Sequence, residues 1–119
     1  MLLQHFKITE FDSPDLPNSG NRMQAAFLIV LDKARGIAGV PFKINSGFRT
    51  EAHNKKVGGV AESSHTTGWA ADIHCTQPRE RKLIVAALIA AGINRIGISK
   101  TFIHCDSDPT KDKNVIWLY

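Results

Sequence analysis

The 119-residue sequence is poor in the features that would staple a small fold or hold it in a membrane. It carries two cysteines, Cys75 and Cys105, too few for a disulfide scaffold, and neither belongs to a C-x-x-C pair of the kind that builds zinc ribbons and redox sites. Both are expected to be reduced thiols in the core. The longest apolar runs, Ala25–Leu31 and Leu83–Ala91, fall well short of the roughly 20 residues that cross a bilayer, so no membrane span is expected. The first residues, Met1-Leu-Leu-Gln-His-Phe-Lys, lack a basic region followed by an apolar stretch and a small-residue cleavage site. No secretory signal is therefore expected, and synthesis in the cytoplasm is. RNP-like, helix-turn-helix and zinc-finger spacings are also missing, which argues against a nucleic-acid partner. There is no internal repeat and no low-complexity tract.

What is present is ordinary globular composition, 43% hydrophobic and 22% charged, in a length that suits one domain over residues 1–119, expected to be monomeric. A net charge of +4 favours polyanionic surroundings without choosing among them. Much of the excess comes from Lys55-Lys56 and Arg79–Lys82, read as solvated surface.

Phe6–Phe11 reads as a short extended piece and Asp12–Gly20, with Pro14 and Pro17, as a loop. Met23, Phe27, Val30, Leu31 and Ala34 recur at helical spacing and predict a helix over about Asn21–Arg35, stopped by Gly36 or Gly39. Phe42–Ser46 alternates as a strand does. Gly47–Gly68 has almost no hydrophobic periodicity and is dense in Ser, Thr, His and Asn, which predicts a long ordered loop with one helical turn near Glu51–Lys55. Trp69–Cys75 reads as a buried strand. A second helix opens at Thr76-Gln77-Pro78, buries Leu83, Ile84, Ala87, Leu88 and Ala91, and ends at Gly92. Ile93–Ile98, Thr101–Asp106 and Val115–Tyr119 read as further strands. Two helices without regular alternation of strand and helix indicate an α+β fold with a largely antiparallel sheet.

Residues two apart on a strand share a face, so Asp72 and His74 point one way and Cys75 the other; likewise His104 and Asp106 oppose Cys105. If the two strands are neighbours, polar groups gather on one surface and both thiols lie behind it, which disfavours the cysteines as metal ligands. A catalytic zinc site needs three such nitrogen or carboxylate donors and an open position. His65 ends the polar loop, His53 lies earlier in it, and His5 is near the chain end. His53 is read as structural and Trp69 as core packing.

The setting is more specific than any single spacing. Ser46-Gly-Phe-Arg49, His53-Asn54, Val57-Gly58-Gly59, Ser63-Ser-His65-x2-Gly68-x-Ala70-x-Asp72-Ile73, Phe102-Ile-His104-Cys-Asp106 and the closing Trp117-x-Tyr119 together resemble the zinc D-Ala-D-Ala carboxypeptidase family, peptidase M15, in its compact bacterial and phage branch. The resemblance runs from about Met23 to Tyr119. It implies a hedgehog/DD-peptidase type of fold, Zn2+ held by His65, Asp72 and His104, and hydrolysis of peptidoglycan stem peptides by a D,D-carboxypeptidase or related endopeptidase. Arg49 is expected to bind a substrate carboxylate or the developing oxyanion, and Ser63 to contact the substrate backbone. Several relatives carry an acid three residues before the last ligand histidine, where this chain has Thr101, whose hydroxyl is no base at neutral pH. Asp106 is the first alternative base, with a role in orienting His104 as the competing reading, and His74 is the second. A zinc-binding, wall-associated module without activity is the alternative function. Small size and the missing signal resemble a phage or prophage lysis enzyme acting on the cell wall.

Overall fold

The computed structural model describes residues 2–119, so Met1, the first residue of the segment inspected for a targeting signal, lies outside it. Three helices, α1 (Ala25–Ala38), α2 (Glu51–Lys56) and α3 (Pro78–Ala91), accompany five strands: β1 (Ile44–Ser46), β2 (Ala70–His74), β3 (Arg95–Ile98), β4 (Phe102–Asp106) and β5 (Val115–Leu118). The sheet order is β1-β2-β4-β3-β5, antiparallel throughout except for the β3–β5 pair at one edge. This is the expected α+β class, with the helical turn of the polar loop realised as α2. None of the helices is long and apolar enough to cross a membrane among the described residues.

The helix expected over Asn21–Arg35 begins four residues later. Ser19–Arg22 closes a separate 3-10 turn, and Gln24 stays extended because its N–H donates to Gly68 O (3.0 Å) and its side-chain amide to Thr67 O (3.0 Å). From there Phe27, Leu28, Leu31, Ala34 and Ala38 form the buried stripe, until Gly39 at φ +70° donates its N–H to Arg35 O and ends the helix. Phe6–Phe11 is not extended either: Ile8–Phe11 is a 3-10 turn whose Glu10 carboxylate accepts the Lys7 N–H (2.7 Å), and it turns Phe11 fully into the core. In α3, Pro78 opens the helix and Gly92 at φ +103° ends it; Ile84, Ala87 and Leu88 are buried, whereas Leu83 remains 40% exposed.

α1 and α3 pack on each other and on one face of the sheet, enclosing Ile73, Cys75, Ile96, Ile103 and Cys105. Both thiols are fully buried and unpaired, and burial pushes both up from the ordinary thiol range, Cys105 the further. The radius of gyration is 13.1 Å. The other sheet face lies away from α1 and α3. Ser46, Asp72, His104, Gly97 and Trp117 form a row across it in register, roofed by the 47–68 segment.

Candidate metal centre

The row is the floor of the site. Antiparallel pairing of β2 and β4 puts Asp72 directly opposite His104, so the two side chains must share the face away from α1 and α3. His65 comes from above. Its backbone is fixed by the Arg49 N–H bonding to His65 O (3.1 Å) and by its own N–H donating to Ser63 Oγ (3.2 Å). Two glycines allow the loop to lie so close. A Cβ at Gly68, where φ is +82°, would sit 2.5 Å from Arg22 O, and one at Gly47 would sit 2.7 Å from Phe11 Cα.

His65, Asp72 and His104 converge so that one donor atom from each lies within 4.8 Å of the others, and all three are buried. Their partners fix which atoms face inward. His65 Nδ1 lies 2.8 Å from Gly47 O, and a carbonyl can only accept, so the proton sits on Nδ1 and Nε2 points at Asp72 Oδ1, 3.4 Å away. His104 presents Nδ1 to the same oxygen (3.0 Å), while its Nε2 donates to Asp106 Oδ2 (2.7 Å). Asp72 Oδ2 accepts from Arg49 (3.3 Å), which leaves Oδ1 as the free donor atom.

A divalent cation fits this arrangement. An imidazole protonated on Nδ1 turns a bare Nε2 lone pair toward a carboxylate oxygen, and two facing acceptors are relieved by a shared positive charge. Two nitrogens and one carboxylate oxygen, each steadied by an outer hydrogen bond, are also the donor set of an open zinc-type site. Burial alone would raise the Asp72 carboxyl, but hydrogen bonds and charge from His104 and His65 outweigh it and hold the group well below the usual carboxylate range. Asp106 is lowered in the same sense against burial, through His104, the Asp108 N–H and Arg95. Burial works against a charged His104, yet Asp106 and Asp72 raise it on balance.

The remaining expected residues fall in different places. Ser63 is buried and lines the cleft above the triad, a cavity of about 310 Å³. Arg49 also lines it, but each of its three guanidinium nitrogens is already engaged: Nε to Ser46 Oγ (2.9 Å), one terminal nitrogen to Asn54 Oδ1 (3.2 Å) and the other to Asp72. Asp106 stands behind His104. Its Oδ2 holds His104 Nε2, its Oδ1 accepts from Arg95 Nε (2.8 Å) and the Asp108 N–H (3.1 Å), and it is 1% exposed. His74 is exposed at the end of β2, opposite Phe102, and is not among the residues lining the cleft. Thr101 is exposed in the β3–β4 turn, and its carbonyl accepts the Cys75 N–H.

Three cleft residues escaped the sequence reading. Arg95 lies 5.0 Å over the Trp117 ring and, with Lys111, adds positive charge to the rim; Tyr119 stands beside Phe102 with ring centroids 5.0 Å apart. Gly97 makes room for that aromatic wall, since a Cβ there would lie 2.5 Å from Trp117 and 2.7 Å from Tyr119. Alternation on β3 could have placed Arg95 on the site face, whereas Lys111 and Tyr119 reach it through loop and edge geometry that no local pattern encodes.

Comparison with curated proteins returns no match. A family model described as Peptidase M15 matches residues 4–106, a span that contains the entire triad and both strands that carry its floor. With most of its length inside that match, and a buried His65-Asp72-His104 group able to hold a metal, the chain belongs to the peptidase M15 family of metallopeptidases.

Proposed function

We propose that the protein is a zinc peptidase that hydrolyses the peptide stems of the bacterial cell wall at a bond involving a D-amino acid, as a D,D-carboxypeptidase or a related endopeptidase. The observation that carries this reading is the convergence of His65 Nε2, Asp72 Oδ1 and His104 Nδ1 at the base of a cleft rimmed by Arg49, Arg95 and Lys111. Zinc held by these atoms would supply Lewis acidity, polarising a carbonyl and making a water molecule acidic near neutral pH. The chain's own groups do the rest. Asp106 keeps His104 turned with Nδ1 inward, and Arg49 keeps one oxygen of Asp72 occupied and the other free. Arg95 and Lys111 draw the carboxylates of a stem peptide into the cleft, Ser63 borders its backbone, and excess positive charge suits an anionic envelope.

A second reading, a wall-associated module that holds metal without turnover, is favoured by one feature. Thr101 stands in place of an acid, Asp106 is committed to His104 and Arg95, and His74 lies outside the cleft lining, so among the described residues no uncommitted carboxylate or imidazole base borders the cleft. Incubating the zinc-loaded chain with purified peptidoglycan between about pH 5 and 9 separates the two. Release of D-alanine or of cleaved stems, identified by mass, is expected; zinc bound without any product assigns the module. His74→Ala is expected to leave turnover within about threefold, and a collapse with metal retained would make His74 the base.

A further inference from the structure

A groove of about 880 Å³, larger than the metal cleft, lies on the other side of the Val57–Ser64 segment. Gly59 borders both, and Ser64, which lines the cleft, donates through Oγ to Asp108 Oδ2 (2.7 Å), which lines the groove. Asn54 links them as well: it borders the groove, and its Oδ1 holds Arg49. The half-buried indole of Trp69 lies along the groove with Thr66, Thr67 and Thr110 around it. The three threonine hydroxyls donate to Ser63 O, Ser64 O and Asp108 Oδ1, so beside the aromatic side chain they offer acceptor lone pairs, which suits a ligand with apolar C–H groups and hydrogen-bond donors at its edge.

Charge narrows the choice further. In a chain of net +4, this groove carries exposed Glu51 and Glu62 and buried Asp108 against Lys55, whereas the cleft next to it sets Arg49, Arg95 and Lys111 against Asp72 and Asp106 and keeps a positive balance. An anionic ligand belongs in the cleft, and the groove repels it. Exposed carboxylates such as Glu51 and Glu62 instead accept hydrogen bonds from hydroxyl and amide donors.

We propose that this groove is a second binding site, for the uncharged β-1,4-linked N-acetylhexosamine strand from which peptide stems hang, seated on Trp69 while a stem enters the cleft. The inference rests on the stem-peptidase reading, which gives one polymer both a neutral sugar backbone and acidic side branches. A sugar carboxyl joined to a stem is an amide and carries no charge. A volume of about 880 Å³ falls within the roughly 300–1,000 Å³ usual for ligand sites.

The probe is the N-acetylglucosamine tetramer, titrated into the zinc-loaded full chain while amide NMR shifts and tryptophan fluorescence are followed. Saturable binding is expected, with Kd of about 1 mM or tighter and shifts at Thr66, Thr67 and Trp69. Glu51→Lys, on an exposed position, and Trp69→Phe, which keeps an aromatic ring in the core, should each weaken it about tenfold. Absence of any shift up to about 10 mM sugar, or shifts confined to His104 and Tyr119, overturns the site. Saturation of the same residues by lysine amide, and not by the sugar, overturns the ligand class and assigns the groove to amines. Hydrolysis of a free stem peptide, measured in parallel, keeps the two readings apart: cleavage without sugar binding defeats only the groove, and sugar binding without cleavage defeats only the peptidase.

Discussion

The chemistry of single side chains here turns on which atom each presents. His65 and His104 are both buried imidazoles, yet one points Nε2 inward and the other Nδ1, because Gly47 O takes the first ring's other nitrogen and Asp106 takes the second's. Removing a holder differs from removing a donor. His104→Ala should abolish stoichiometric metal binding, measured by metal analysis after dialysis. Asp106→Asn should retain the metal but weaken its affinity by about 10–100-fold, because His104 loses a charged partner that fixes its ring. At saturating metal that variant should keep measurable turnover if Asp106 acts through His104; complete loss there, with an acidic limb gone from the pH profile, would return Asp106 to the role of base.

At the scale of elements, the site depends on one strand pair and one loop. The β2–β4 register puts Asp72 against His104, and a slip of β4 by one residue would turn His104 into the core, away from Asp72, and bring Cys105 to the site face. The loop is held from outside by the segment preceding α1, through the Gly68 and Thr67 carbonyls on Gln24. Gly68→Ala would force a side chain into a left-handed backbone and against Arg22 O. It is expected to cost about 2–4 kcal/mol, seen as a lower urea midpoint, and to weaken metal binding through displacement of His65. Strand identities, α3 and the polar loop were legible because alternation, helical spacing and loop composition are local. The start of α1 and the 3-10 turn at Ile8–Phe11 were not, since Gln24's bonds to the 67–68 carbonyls and the burial of Phe11 arise only when distant segments meet.

For the whole molecule, the buried acids tie stability to pH. Burial works to raise the Asp108 carboxyl, but hydrogen bonds from Ser64 and Thr110 more than offset it and hold the group below its ordinary value. A folded value below the unfolded one, near about 3.9, means that the unfolded chain takes up the proton first. The stabilisation is therefore present above that value and is lost as pH falls through the folded one. Asp108→Asn should lower the urea midpoint at pH 7 and flatten its decline below about pH 5, measured on the metal-free chain so that ligand protonation is common to both proteins.

The sequence by itself determined the class of fold, the partition of acids and imidazoles to one sheet face and thiols to the other, and the motif resemblance that named His65, Asp72 and His104. Those follow from periodicity and residue type. Only the tertiary structure decided that Arg49 is held by Ser46, Asn54 and Asp72, that Asp106 stands behind His104 while His74 lies apart, and that Arg95, Lys111 and Tyr119 complete the cleft. Hydrogen-bond saturation and the convergence of loops are properties of contacts between residues far apart in the chain, and strand or helix spacing carries no record of them.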